Sequence, residues 1–160
     1  MKPVKIGEVS ISSIIERDGP WRAPNIMFPS ASPEGLKTTM AQVPDFAYDR
    51  AKDLLVITYQ TFVLRTPRAT VLIDTCVGEH QRRPAPLLFD KTPWLNGFQQ
   101  HGLKFEDIDY VFCTHLHVDH VGWNTRMMDG RLKPTFPNAK YVFSKREFEH
   151  WKQATDPGFA

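Results

Sequence analysis

Residues 115–120 read HLHVDH and place three imidazoles and one carboxylate within six positions. They follow the apolar run YVFC at residues 110–113 after one intervening residue, Thr114, and such a run is typical of a buried strand. Imidazole nitrogens and carboxylate oxygens are common ligands of Zn²⁺ in hydrolytic enzymes. The sequence therefore predicts a metal site at the carboxyl end of a strand.

The spacing within this cluster suits two ions. His115 and His117 are two positions apart, so on an extended segment both imidazoles point to the same side and one ion can take both. Asp119 and His120 are adjacent, and a bend after Val118 would direct them to a second ion nearby. Two ions roughly 3.5–4 Å apart can share a water molecule whose pKa falls toward neutrality. We expect Zn²⁺ first, with Mn²⁺, Fe²⁺ or Co²⁺ as alternatives, because affinity alone does not settle the metal in a cell.

The composition is that of an ordinary globular protein. Hydrophobic residues make up 41% of the 160 positions and charged residues 24%, which argues against a disordered or fibrous chain. A net charge of +2 without blocks of like charge gives no indication of a nucleic-acid partner or a membrane surface. No stretch has the apolar length of a signal peptide or a membrane span, so we expect a cytoplasmic protein that acts on a small molecule.

Strand and helix patterns alternate along the chain, which predicts an α/β fold in a single domain over residues 1–160. The first strand ends at the turn signal Asp18-Gly19-Pro20. Nearly continuous apolar runs at 54–64 and 69–74 predict strands that are covered on both faces. The predicted strands are residues 4–15, 54–64, 69–74, 108–113 and 141–143.

Two helices are indicated by capping signals. The first covers residues 93–101, with Thr92 as N-cap and Trp94 on its inward stripe. The second covers residues 145–153 and begins with a capping box formed by Ser144 and Glu147.

Residues 19–50 predict a long irregular segment that is rich in proline, with one short helix beginning at Ser32-Pro33. Disordered segments are poor in aromatic residues, and this one contains several. Ordered loops of such length are usually functional, so we predict that residues 19–50 cover a pocket. Trp21, Phe28 and Trp123 would line it, although the alternative for Trp123 is a place in the core.

The cluster His115-Leu116-His117-Val118-Asp119-His120, together with the strand-end aspartate of VLIDTCVG at residues 71–78, resembles the metallo-β-lactamase-fold metallohydrolases. The order of strands and helices agrees with that family from about residue 50 onward. Among its branches, the lactonase and organophosphate-hydrolase type is the most similar. The resemblance implies an αββα sandwich of which this chain is the N-terminal half, one mixed sheet with flanking helices.

The resemblance also implies roles for individual residues. His115 and His117 would hold the first ion, and Asp119 and His120 the second. Asp119 would in addition serve as acid or base toward the leaving group. Asp74 would orient a ligand imidazole through its second ring nitrogen, or else be a turn residue bonded to nearby amides.

The implied activity is hydrolysis of a small ester, lactone or organophosphate by a metal-bound hydroxide. Thr114 either orients a ligand or simply continues the strand, and the sequence leaves both alternatives open.

The cluster supplies two ligands per ion, whereas a catalytic zinc takes about three protein ligands plus water. In the resembling enzymes the other ligands come from a second half of the fold. His150 is expected on a helix surface and His80 in a solvated loop, so neither completes the site. We favour a chain that is part of a longer enzyme. The alternatives are a homodimer whose halves cover each other, and a degenerate half-domain that binds metal or a partner without catalysis.

Overall fold

The computed structural model describes residues 3–78 and 93–153. The predicted N-cap Thr92 and the loop residue His80 lie outside these ranges. The strands are β1 (Val4–Ile6), β2 (Val9–Arg22), β3 (Tyr48–Asp49), β4 (Leu54–Arg65), β5 (Thr70–Ile73), β6 (Tyr110–Phe112), β7 (Thr125–Met128), β8 (Arg131–Pro134) and β9 (Lys140–Val142). The helices are α1 (Pro24–Met27), α2 (Pro33–Gln42), α3 (Pro93–Gln100), α4 (Val118–Val121) and α5 (Lys145–Gln153).

The chain forms two compact units, one made of Met1–Glu16 with Tyr59–Ala160 and the other of Arg17–Thr58. None of the helices in the described residues combines the length and the apolar character that crossing a membrane requires.

The principal sheet is mixed, as predicted. Its strand order is β1-β2-β4-β5-β6-β9, with β3 paired to β4. Strands β4 and β5 are antiparallel, whereas β5, β6 and β9 run parallel to one another. The carboxyl ends of these three parallel strands therefore meet at one edge of the sheet. Asp74 directly follows β5, and Thr114 lies two residues beyond β6.

One face of this sheet carries the core. Val63, Leu72 and Val111 are paired in register across β4, β5 and β6, and all three are fully buried. Helix α3 adds Trp94 and Phe98 to the same cluster, which confirms the predicted inward stripe. Burial of each such aliphatic side chain stabilises the fold by about 1.5–3 kcal/mol, and burial of the larger rings contributes at least as much.

The opposite face is also apolar but is only partly covered. Ile73, Phe112 and Val142 are paired in register on this face, and Phe112 and Val142 are 44% and 40% exposed. The prediction that β4 and β5 are covered on both faces was therefore wrong in part, since Phe62 and Ile73 are half-buried. An apolar run determines the chemistry of both faces of a strand but not what packs on each of them.

The unit Arg17–Thr58 is more regular than predicted, because it contains α1, α2 and β3. Ser32 Oγ accepts a hydrogen bond from Gly35 N at 3.1 Å, so the predicted helix start at Ser32-Pro33 is confirmed. The predicted strand end at Asp18-Gly19-Pro20 was wrong, since β2 continues to Arg22. Glycine and proline can mark an irregular strand as well as its end, and Gly19 has a φ of +141°.

A cleft of about 620 Å³ lies within this second unit. Its lining includes Leu36, Met40 and Tyr48, with Arg50 at its side. The Arg50 guanidinium donates to the carbonyl oxygens of Met40 and Val43, which ties the end of α2 to β3 and its turn. The function of residues 19–50 as the cover of a pocket stays a prediction.

Helix α5 has the predicted bounds, and its start differs from the predicted one in a single respect. Ser144 Oγ accepts from Arg146 N at 3.2 Å, and the rings of Phe143 and Phe148 pack 5.7 Å apart. The capping box was wrong, because the Glu147 carboxylate accepts from the Leu116 amide instead. A long-range donor, the Leu116 amide, therefore takes the carboxylate that local capping would otherwise use.

Candidate metal centre

The cluster at residues 115–120 begins extended and ends in a single helical turn. His115 and His117 alternate with Leu116, which packs against the core cluster. His117 has extended backbone angles (φ −67°, ψ 154°) and precedes α4 as its N-cap residue. Asp119 and His120 lie on that turn, so the chain does bend near Val118 as predicted. The bend returns the last two side chains toward the first two.

The structure brings all four predicted metal residues together. The ring centroid of His115 lies 4.5 Å from that of His117 and 3.9 Å from that of His120. His120 Nε2 is 3.5 Å from Asp119 Oδ2. His150 lies on α5, with its ring 5.1 Å from the Trp151 ring. The four side chains thus lie next to one another at the edge where the parallel strands end.

Asp74 connects two of the imidazoles. Its Oδ2 lies 2.8 Å from His120 Nδ1 and also accepts from Thr114 Oγ1 at 2.8 Å. An ionised carboxylate only accepts hydrogen bonds, so His120 donates from Nδ1 in this contact. Thr114 Oγ1 lies 3.0 Å from His115 Nδ1. Because the Thr114 hydroxyl donates its proton to Asp74, its oxygen accepts the hydrogen bond from His115 Nδ1. Both rings are therefore oriented through Nδ1, which leaves Nε2 as the ligand nitrogen.

Thr114 is a residue whose role the sequence left open. The structure favours the orienting alternative, because Thr114 links Asp74 to His115 through its hydroxyl and bonds Asp74 Oδ1 through its amide at 2.8 Å. A threonine next to a strand end carries no specific sequence signal, so this role depends on knowing which strand lies alongside.

The two carboxylates determine the charge state of the neighbouring His120. Burial opposes the charge of His120, but hydrogen bonds to Asp119 and Asp74 outweigh it and raise the pKa of His120 to about 9. Burial likewise favours neutral carboxyls, yet the bonds to His120 hold the pKa of both aspartates below the usual value. Burial, with the neighbouring His120 and His117, lowers the pKa of His115. Near pH 7 the metal-free cluster therefore holds two carboxylates, a protonated His120 and a neutral His115, and a metal ion that binds His120 must displace a proton.

A buried carboxylate that sequence reasoning missed supports the loop after β5. Glu16 is only 3% exposed and accepts from the amides of Val77 and Gly78 at 2.8 and 3.0 Å. It also accepts from Trp123 Nε1 at 3.0 Å. A glutamate inside the otherwise apolar strand pattern was the available signal. Buried charges of this kind need several donors, and these contacts supply them.

Trp123 belongs to the core, which settles one of the two sequence alternatives. The side chain is 2% exposed, and its ring stacks on Trp94 with centroids 4.5 Å apart. The prediction that Trp123 lines an apolar pocket was therefore wrong. Trp94 fills the space on one side, and the Glu16 carboxylate holds the indole N–H.

The second residue after the cluster, Gly122, must be small. A Cβ on Gly122 would come within 1.8 Å of the Val77 carbonyl oxygen, which is main chain and cannot rotate away. Gly122 N donates to Cys76 O at 2.7 Å, and Thr75 N donates to His120 O at 2.8 Å. Close main-chain contact therefore holds the loop after Asp74 against the turn that carries His120.

The cluster fits a divalent ion in donor chemistry but supplies only part of a coordination shell. Three imidazoles and a carboxylate suit Zn²⁺, and two of the rings are held by hydrogen bonds at Nδ1. Within residues 3–78 and 93–153, however, no three such side chains converge closely enough to form a metal site by themselves.

Solved structures of similar fold include a lactonase and other hydrolases. The chain is 25% identical to AidC, a dizinc quorum-quenching lactonase, with a TM-score of 0.73, and the match covers 96% of this chain and 48% of AidC. The hydrolase AbOPH of the beta lactamase superfamily is 22% identical, with a TM-score of 0.70 and coverages of 98% and 47%. A probable metal-dependent hydrolase from Staphylococcus aureus is 19% identical, with a TM-score of 0.69 and coverages of 93% and 51%.

These likenesses agree with the resemblance read from the motif. The chain spans about half the length of each of these three structures. No curated protein matches the chain in sequence at a significant level. The family model described as metallo-beta-lactamase superfamily matches residues 57–159, which is more than half of the chain. On that match, and with the fold in agreement, the chain belongs to the metallo-beta-lactamase superfamily.

Proposed function

We propose that this chain carries part of the active site of a metal-dependent hydrolase whose substrate is a small ester, lactone or organophosphate. The observation that carries the proposal is the group of His115, His117, Asp119 and His120 beside a carboxylate, Asp74, that orients two of the rings. The similarity to a dizinc lactonase and to hydrolases of the same fold supports this choice of reaction. A cytoplasmic location is part of the proposal.

The residues divide into ligands and positioning groups. His115 and His117 would hold one zinc ion, and Asp119 and His120 a second. A bound divalent ion supplies a water that is activated at neutral pH and polarises the substrate's carbonyl or phosphoryl oxygen. Asp74 and Thr114 fix the rings that present Nε2. Asp119 would in addition take up a proton and pass it to the leaving group.

A second candidate function is a metal-binding or partner-binding half-domain without catalysis. The observation that favours it is that the described residues contain no three side chains placed to hold an ion. In this case the chain would bind zinc weakly or through a second copy of itself, and a lactone would not be hydrolysed.

The experiment uses the full native chain that contains these residues. Zinc content and hydrolysis of a panel of lactones and phosphotriesters are measured for the unaltered protein, for His115→Ala and for His101→Ala. We expect two zinc ions and turnover in the unaltered protein, and loss of both in His115→Ala. His101 lies just after α3 and bonds Gly97 O, so its variant serves as the matched histidine control. Full activity of His115→Ala would contradict the proposal, and zinc uptake without turnover would favour the half-domain.

A further inference from the structure

Helix α5 places a carboxylate on the main chain of the candidate metal cluster. Glu147 Oε2 accepts a hydrogen bond from Leu116 N at 3.1 Å, although 31 positions separate the two residues in sequence. Leu116 lies between His115 and His117, so this amide belongs to the short segment that spaces the two imidazoles. A contact at this amide therefore acts on both rings at once.

The same carboxylate also orients an indole against the cluster. Glu147 Oε2 accepts from Trp151 Nε1 at 3.1 Å, one helical turn further along α5. The Trp151 ring meets the His117 ring edge to face, with centroids 5.3 Å apart and planes at 79°. Glu147 thus fixes the backbone before His117 and the aromatic side chain that packs against it.

Local helix stability does not account for this arrangement. The first turn of α5 is capped by Ser144 Oγ, and the Glu147 carboxylate is directed to Leu116 rather than to the helix start. Helix α5 has no fully buried residue, so the contact is not a consequence of close packing around Glu147. The hydrogen bond between Glu147 and the Leu116 amide is therefore a specific contact between α5 and the segment that carries two predicted ligands.

We infer that Glu147 is a positioning residue of the metal centre, which sets the spacing of His115 and His117 through the Leu116 amide and holds Trp151 against His117. The inference rests on the proposed function, because it assigns Glu147 a role in holding the ion that this function requires. Groups that orient metal ligands typically change metal affinity about 10–100-fold when they are removed.

Four variants of the full native chain separate the hydrogen bond from the charge. Glu147→Ala removes both, Glu147→Gln keeps an acceptor oxygen, and Glu147→Asp keeps the charge on a side chain that is one methylene too short. Glu149→Ala is the matched control, because Glu149 lies on the same helix, is exposed and pairs only weakly with Lys145 at 3.5 Å. Zinc affinity is measured by competition with a chromophoric chelator.

We expect Glu147→Ala and Glu147→Asp to bind zinc about 10–100-fold more weakly than the unaltered protein. Glu147→Gln and Glu149→Ala should stay within about threefold of it. A second readout needs no metal: in the metal-free protein, hydrogen–deuterium exchange of the peptide that contains Leu116 should be faster in Glu147→Ala and unchanged in Glu149→Ala.

Equal zinc affinity in Glu147→Ala and Glu149→Ala overturns the inference while leaving the proposed function intact. If Glu147→Ala does not fold, the other two variants decide, and a Gln variant that is weaker than the Asp variant overturns the role of the hydrogen bond. An unaltered protein that takes up no zinc contradicts the proposed function and the inference together. Unchanged exchange at Leu116 contradicts the inference alone.

Discussion

Asp74 Oδ2 and His120 Nδ1 lie 2.8 Å apart, although 46 positions separate the two residues in sequence. Asp74 follows β5, and His120 lies on the turn α4 that follows β6. The bond therefore joins the ends of two neighbouring parallel strands and fixes the ring plane of a predicted ligand. Asp74 has a φ of +56°, a conformation that aspartate tolerates better than most residues.

Replacement of Asp74 should weaken metal binding without unfolding the chain. Asp74→Asn removes the charge that holds the His120 proton on Nδ1, so we expect zinc affinity to fall about 10–100-fold. Asp129→Asn is the matched control, because Asp129 also has a positive φ of +53° but pairs with Lys133 at the exposed hairpin. Chelator competition measures both variants. Equal affinities would show that Asp74 is an ordinary turn residue.

The stability of the metal-free protein should fall as the pH rises from 6.5 to 9. His120 has a pKa of about 9 in the folded chain against an ordinary value of 6.5, so the folded state binds its proton more tightly. That stabilisation is fully present below pH 6.5 and is lost as the pH rises through about 9. The expected loss is about 1–3 kcal/mol of unfolding free energy.

Urea denaturation at several pH values measures this loss, and His120→Gln isolates the histidine. Burial raises the pKa of the Cys76 and Cys113 thiols, which adds a loss of the same sign above about pH 8. The lowered pKa values of Asp74 and Asp119 change the free energy of unfolding only at acid pH. A slope between pH 6.5 and 8 that is as steep in His120→Gln as in the unaltered protein would contradict the prediction.

A methyl group at position 122 should be strongly destabilising. In Gly122→Ala the Cβ would overlap the Val77 carbonyl, so the loop after β5 must shift, and we expect a loss of about 3 kcal/mol or more. In Gly35→Ala the added Cβ meets Ser32 Oγ at 3.0 Å, a side chain that can rotate, and the loss should stay within about 1 kcal/mol. Urea unfolding of the metal-free variants measures both. Similar midpoints would mean that the contact at Gly122 relaxes easily.

Local patterns predicted the elements that position the site. The apolar run before His115 indicated β6, and the spacing of Trp94 and Phe98 indicated the buried face of α3. The residues Met128-Asp129-Gly130-Arg131 are typical of a hairpin turn, and Asp129 and Gly130 between β7 and β8 both have the positive φ that such a turn requires. These features depend on neighbouring residues, which is why one sequence suffices for them.

Long-range partners were not predictable in the same way. The Glu16 carboxylate accepts a hydrogen bond from Trp123, which lies 107 positions further along the chain. The Leu116 amide donates to Glu147, for which a local capping box was predicted. Nothing in the spacing of a single sequence specifies which distant donors a carboxylate will meet. For this reason the role of Thr114 stayed open and that of Gly122 was missed, since both depend on the loop that follows β5.

Strand β6 is three residues long and lies between two parallel neighbours. A shift of one position along it would turn Phe112 inward in place of Val111 and would carry Thr114 about 3.3 Å away from Asp74. The same short stretch thus encodes how the interior is filled and where the imidazoles point. A substitution in β6 that improves the packing of the interior can misdirect the imidazoles, and the reverse also holds. We therefore expect β6 to tolerate fewer substitutions than its short length suggests.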